Sequence, residues 1–288
     1  MTIATSVDVT RYLERIGHDA AVRPDLQTLH AIVAAHNRTI PFENLDPVLG
    51  IPVADLGAAA LADKLVHRRR GGYCYEHNGL MGYVLEALGY GVDRLAGRVV
   101  WMNDDWDPGD DGFSAALPAQ THQLLAVTVP GEDGRFLVDV GFGGQTLTAP
   151  IRLAAGPVQQ TRHEPYRLRR HGDGLVLEAL IRGTWRPLYI FSLRPRPLID
   201  LEVGSWYVST HPKSGFVVGL TAALIADDAR WNMRGRNLAV HRADGTERIR
   251  FDTAAQVLEA LTDRFGIDLA DLGDRVDVEA RVHEVLDR

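Results

Sequence analysis

The sequence has a single cysteine, Cys74, so no disulfide can form within the chain and a zinc site built on a Cys-x-x-Cys pair is excluded. A lone thiol suits a reducing compartment. Long hydrophobic runs are missing too: the longest apolar stretch, around Gly219 to Ala226, falls far short of the ~20 residues a bilayer span needs. The first residues, Met1 to Val9, lack the basic and apolar regions of a secretory signal, and Arg11, Glu14 and Arg15 follow at once. The expectation is a cytoplasmic protein. Positive charge is scarce: 31 Lys and Arg against 38 Asp and Glu leave a net charge of -7. Neither nucleic acid nor an anionic membrane therefore has electrostatic support as a partner.

What is present is an ordinary globular composition, 45% hydrophobic and 24% charged over 288 residues. That length suits two compact domains, or one large domain with an appended layer. The first third reads as helices. Val9, Tyr12, Leu13 and Ile16 recur at helical spacing between a capping Asp8 and a terminating Gly17. Pro24 and Asp25 open a second helix through Leu26, Leu29, Ile32 and Val33, which must end before Ile40-Pro41 because a residue preceding proline avoids the α region. A third segment, Ala58 to Arg70, is alanine-rich and ends in three arginines, which would suit the negative end of a helix dipole. After Gly71-Gly72, the residues Leu80, Val84, Ala87 and Leu88 mark a fourth helix ending at Gly89, with Cys74 in or just before its first turn.

From about Val92 the period changes. Val99 to Trp101, His122 to Val129, Phe136 to Val140, Tyr166 to Leu168, Leu175 to Leu177 and Trp185 to Phe191 predict short strands of a β domain, sandwich or barrel. Trp206 to Ser209 and Phe216 to Leu220 also read as strands, and Leu238 to His241 with Arg248 to Phe251 as a hairpin about Asp244-Gly245. Thr253 caps a helix through Val257, Leu258, Leu261 and Phe265, and a weaker helical pattern runs from Val276 onward. The acidic patch Asp104, Asp105, Asp107, Asp110 and Asp111 reads as a solvated loop, since its spacing does not fit an EF-hand. No metal site is expected.

A lone cysteine is usually a small buried hydrophobe. At a helix N-terminus, however, unpaired N–H groups and the positive dipole end stabilise a thiolate and can cradle an oxyanion. Glu76, His77 and Asn78 are odd company for a core spacer, so Cys74 reads better as a nucleophile. Such a group needs a base and a group to orient it. His122 opens a strand, and Asp139 lies within the apolar run Phe136 to Phe142, where a carboxylate requires a partner. A symmetric hairpin about Pro130 to Gly134 would put Asp139 opposite residue 125, about 10 Å along the strand from His122. Either a bulge shifts the register, or the strands are not simple partners, or the triad is wrong.

Two long motifs, Arg70-Gly71-Gly72-Tyr73-Cys74-Tyr75-Glu76-His77-Asn78 and Ile40-Pro41-Phe42-Glu43-Asn44-Leu45, resemble signatures of the arylamine N-acetyltransferases. Thr121-His122-Gln123-Leu124, Val138 to Gly143 and Trp206 to Thr210 resemble further segments of that family, so the likeness spans most of the chain. Asn103 to Leu117 departs from it, being longer and more acidic. The resemblance implies a three-part α+β architecture like that of cysteine proteases. Residues 1–90 would form a helical bundle with the nucleophile, 91–203 a β-barrel with His122 and Asp139, and 204–288 an α/β lid. It also implies a Cys74-His122-Asp139 triad that takes an acetyl group from acetyl-CoA and passes it by a ping-pong route to an arylamine or hydrazine, without metal or prosthetic group.

Phe42, Tyr75, Val99, Trp101, Phe142 and Phe216 are the candidate acceptor walls. Gly141, Phe142, Gly143 and Thr121, with Gly144 beside them, could let the backbone approach coenzyme A, and His241 and Lys213 are candidate charge partners. The chain would act as a monomer or homodimer. The same triad is used by amide synthases that close macrolactam rings on long acyl chains, and related chemistry by thiol hydrolases of the papain or transglutaminase type. An inert cysteine in a binding protein is the fourth reading.

Overall fold

Capping side chains set where the first helices begin. In the computed structural model, which describes residues 7–103, 106 and 117–288, Asp8 accepts from the Arg11 N–H at 3.1 Å to open α1 (Val9–Ile16). Gly17 closes that helix at φ 66. Asp25 does the same for α2 (Leu26–Thr39), accepting from Thr28 N–H at 2.8 Å. The first six residues and the acidic positions Asp104, Asp105, Asp107, Asp110 and Asp111 lie outside the described residues.

Beyond Pro41 come β1 (Phe42–Glu43), α3 (Leu45–Val48) and α4 (Ala58–Ala62), which continues as a π-helical turn, Asp63–His67. The expected helix to Arg70 therefore stops at His67. Arg70 is turned inward and held at 2.9 Å by Glu43 and 2.8 Å by Asp46, so charge pairing rather than a helix dipole explains it. The helix α5 (Cys74–Ala87) follows. Tyr73 is its N-cap, and the Glu76 carboxylate accepts from the Tyr73 N–H at 3.0 Å.

The central strands are β2 (Gly91–Val99), β3 (Gln120–Thr128), β4 (Phe136–Val138), β5 (Ile151–Arg152), β6 (Val158–Gln159), β7 (Tyr166–His171), β8 (Gly174–Ile181) and β9 (Thr184–Phe191). They form one antiparallel sheet in the order β5-β4-β3-β2-β9-β8-β7-β6, a nearly closed barrel whose interior holds Leu95, Leu124, Leu137, Leu177 and Tyr189. The strand expected at Val99 to Trp101 ends at Val99. Odd residues of β3, Leu125 and Val127, pack instead on the helical layer with α5.

The last third departs most from expectation. Trp206 to Ser209, read as a strand, belongs to α6 (Leu198–Thr210), and Phe216 to Leu220 overlaps α7 (Gly215–Val218). Aromatic and β-branched residues bias a local reading toward strand, whereas Leu201, Ser205 and Val208 lie at helical spacing against the core. The Ser205 hydroxyl also meets the Tyr73 hydroxyl at 2.8 Å. The strands β10 (Thr221–Ile225) and β11 (Ala229–Arg234) precede the expected hairpin, β12 (Asn237–Arg242) and β13 (Gly245–Arg250). Finally α8 (Ala254–Asp263), capped by Thr253, and α9 (Arg275–Leu286) pack against that sheet.

The second sheet runs β1-β10-β11-β12-β13, so Phe42 and Glu43 of the N-terminal third pair with Ala223 and Ala222. The expected boundary at 203/204 falls within α6. Alternation sorts the sheet's side chains: Ala222, Met233, Leu238 and Val240 pack on α8 and α9, and Ala223, Asn232, Arg234, His241 and Arg248 face the barrel. Among the described residues no helix is long and apolar enough to cross a membrane.

Candidate active site

Cys74 is the first residue of α5, where backbone N–H groups have no intrahelical partner. It is buried at the floor of a cleft of about 1210 Å3 between the barrel and the second sheet. Its sulfur lies 3.7 Å from the Thr121 carbonyl oxygen. That carbonyl is exposed to it by a bulge: Gly97 pairs with His122 and Arg98 with Gln120, leaving Thr121 as the extra residue on β3.

His122 and Asp139 meet at 2.7 Å, Nε2 to Oδ2. The hairpin register explains how. Leu125 pairs with Val138, so the ladder extended by one residue puts Asp139 opposite Leu124 rather than 125. That one-residue offset turns Asp139 to the same face as His122 and makes the two diagonal neighbours, within side-chain reach. They are hairpin partners after all, and the bulge lies on the other side of β3.

Asp139 is fully buried and well supplied with donors. Its Oδ1 accepts from Asn78 Nδ2 at 2.9 Å and from the Gly141 N–H at 3.0 Å. Asn78 also donates to the Gln123 carbonyl at 2.7 Å and accepts from the Val140 N–H at 3.0 Å, tying α5 to both strands. Burial alone would raise the Asp139 carboxyl, but His122 and these hydrogen bonds hold it below its ordinary value. Burial likewise works against a charged His122, yet the charge and hydrogen bond of Asp139, aided by Cys74, push it up to about 10. His122 and Cys74 line the same cleft. A Cβ on Gly141 would fall 2.7 Å from the Cys74 Cα, so only glycine lets this loop lie against α5.

Residues 25–273 match the family model described as N-acetyltransferase. An arylamine N-acetyltransferase of Mycolicibacterium smegmatis is 71% identical over 98% of this chain and 99% of its own length. One from Mycobacterium tuberculosis is 59% identical over 98% and 97%. The chain belongs to the arylamine N-acetyltransferase family. Solved structures agree. That of the M. smegmatis enzyme superposes with a TM-score of 0.92 at 70% identity, covering 98% of this chain and all of that one (100%). The Mycobacterium marinum arylamine N-acetyltransferase in complex with CoA gives 0.91 at 60% identity, over 96% and 99%. The family is one of acyltransferases, and the mixed α+β fold with its barrel is the family's fold.

Within this arylamine N-acetyltransferase fold, Phe42, Val99, Trp101, Thr121, Gly141, Phe142, Phe216 and His241 line the cleft with Cys74 and His122. Three expected residues do not. Tyr75 is 1% exposed and its hydroxyl turns to the Gln120 carbonyl, because the residue after Cys74 on a helix points away from Cys74's face. Gly143 is buried behind Phe42, and Gly144 lines the cleft in its place. Lys213 lines a neighbouring groove with Arg236 and Arg250.

Some contributors escaped the sequence reading. Asn78 stands four residues after Cys74, a spacing that puts both on one helical face and could have pointed to it. Tyr189, whose ring lies 4.7 Å from that of His122, carries no such signal, since it arrives from β9. Behind α5, Lys64 joins Glu76 and Asp46 at 2.6 Å each, and Arg70 links Asp46 to Glu43. This buried network braces the turn that presents Cys74.

Proposed function

We propose that this cleft transfers an acetyl group from acetyl-CoA to an arylamine or hydrazine by a ping-pong route through acetyl-Cys74. The observation that carries the reading is the buried His122–Asp139 pair at 2.7 Å, its imidazole lining the same cleft as Cys74 at the start of α5. His122 takes the Cys74 proton as the sulfur attacks. The sulfur bonds to the acetyl carbon, the carbonyl electrons move to oxygen beside the first-turn N–H groups of α5, and their return expels coenzyme A thiolate, which takes the His122 proton. The amine nitrogen then attacks acetyl-Cys74. His122 accepts the proton the nitrogen loses, and the Cys74 thiolate departs as the amide forms.

Phe42, Trp101, Phe142 and Phe216 supply apolar walls for an aromatic acceptor. Although the chain is acidic overall, the sheet face toward the cleft carries Arg234 and Arg248, a local basic wall suited to the phosphates of coenzyme A, with His241 beside them as a neutral hydrogen-bonding group. The cleft is roomier than a slot for acetyl alone, and coenzyme A accounts for that room.

Intact-protein mass spectrometry after brief exposure to acetyl-CoA tests the reading. The expected result is one acetyl increment, absent in Cys74→Ala and discharged by an aromatic amine as the acetylated amine appears. No increment, with Cys74 still quickly alkylated, would favour a larger acyl donor and the amide-synthase reading. No increment and an unreactive thiol would end both.

A further inference from the structure

Beneath the cleft runs a chain of buried polar side chains that acetyl transfer does not use. The Tyr12 hydroxyl meets His36 Nδ1 at 2.8 Å, His36 Nε2 meets His77 Nδ1 at 2.8 Å, and His77 Nε2 meets the Pro41 carbonyl oxygen at 3.1 Å. Tyr12, His36 and His77 are each at most 1% exposed. The chain joins α1, α2 and α5 to the turn that leads into β1.

Its far end permits one proton arrangement. A carbonyl oxygen only accepts, so His77 Nε2 carries the N–H. A neutral imidazole has a single N–H, so His77 Nδ1 accepts, His36 Nε2 donates, His36 Nδ1 accepts and the Tyr12 hydroxyl donates. The reverse pattern would set the His77 lone pair against the Pro41 oxygen. No carboxylate bonds to these rings. Burial accordingly keeps both neutral, holding His77 down at about 4 and His36 well below its ordinary value.

The chain ends at the cleft wall. Pro41 precedes Phe42, whose ring stacks on that of His77 at 6.3 Å and 11° and also lines the cleft. His77 stands on α5 three residues after Cys74, so the same imidazole touches the nucleophile's helix and the wall beside it.

We infer that Tyr12, His36 and His77 act as positioning residues for the acceptor: their one-way hydrogen-bond chain anchors Pro41 and so sets Phe42 at a fixed place relative to Cys74. This rests on the reading that an aromatic amine enters beside acetyl-Cys74. None of the three touches substrate, and the transfer of acetyl from coenzyme A to Cys74 does not depend on them.

The test separates the two half-reactions. In Tyr12→Phe, which removes one buried oxygen far from the cleft, the KM of an aromatic amine is expected to rise about five-fold, as the loss of one hydrogen bond allows. The kcat and the rate of acetyl-Cys74 formation stay at the parent value. His77→Leu moves KM in the same direction and further. His77→Gln, whose amide can donate to Pro41 and accept from His36, restores it. Tyr90→Phe serves as the control, because its hydroxyl donates to the Arg23 and Asp25 carbonyls, away from the chain; it lowers Tm and leaves KM alone. Nitrogen-15 spectra of the folded parent should give both rings as the neutral Nε2–H tautomer. An unchanged KM in folded Tyr12→Phe and His77→Leu, or an Nδ1–H tautomer at either ring, overturns the proposal. A parent enzyme that forms no acetyl-Cys74 would instead overturn the acetyl-transfer reading, and the tautomers would still decide the chain.

Discussion

His122 and His77 flank the same helix end, each fully buried, and they are displaced in opposite directions. Burial penalises a charged imidazole in both. His122 faces the Asp139 carboxylate and is pushed up to about 10, whereas His77 faces a carbonyl and a second imidazole and is driven down to about 4. Burial drives His77 down, and at His122 the charge and hydrogen bond of Asp139 overcome the same burial and reverse the sign. One histidine is thereby suited to hold a proton for transfer, the other to hold a fixed hydrogen-bond pattern.

The largest break in this comparison is Asp139→Asn. It removes the charge and keeps the shape, so His122 should titrate far below its parent value and kcat/KM fall by about 10^3–10^4-fold, as when a triad carboxylate is neutralised. The pH dependence of Cys74 alkylation checks the cause, and a profile unchanged from the parent would refute it. Next comes the ion network behind α5. Arg70→Met removes the ion-pair partner of the buried Glu43 and leaves Asp46 with Lys64 alone, and unfolding in urea should report a loss of about 3–5 kcal/mol. A loss under 1 kcal/mol would mean that the network relaxes into solvent.

The two histidines also predict opposite pH slopes of stability. His77 is harder to protonate folded than unfolded, so the stability it lends is complete above its ordinary value of 6.5 and is lost as pH falls toward about 4. Over that window it should cost about 3 kcal/mol, and His77→Gln should flatten the urea midpoint between those pH values. His122 is easier to protonate folded, so its contribution is complete below 6.5 and is lost as pH rises through about 10. The smallest effect is expected from Tyr75→Phe. Its hydroxyl faces Gln120 and not the cleft, so acceptor KM should shift by less than about two-fold; a larger change would return Tyr75 to the acceptor wall.

Elements bounded by local chemistry were the easiest to read. Asp8, Asp25 and Thr253 cap the helices they were expected to cap, because a capping oxygen needs only an N–H two or three residues away. The hairpin at Asp244-Gly245 is local for the same reason. Trp206 to Ser209 reads locally as a strand because strand-favouring side chains outweigh a helical spacing that only the packing of Ser205 against Tyr73 and Val53 makes visible. Arg70 was assigned to a helix dipole because its partners, Glu43 and Asp46, lie more than 20 residues back in the chain.

By itself, then, the sequence put Cys74 in or just before the first turn of a helix after a glycine pair, and left open whether His122 and Asp139 come from simply paired strands. It could not determine that they meet. That contact depends on a one-residue offset between β3 and β4, and the approach of Thr121 to the sulfur depends on an extra residue between β2 and β3. A slip of one residue turns every side chain of a strand to the other face, and which register wins is settled by the packing of both faces at once. The propensities of the residues concerned cannot express that choice, and only the tertiary structure decided it.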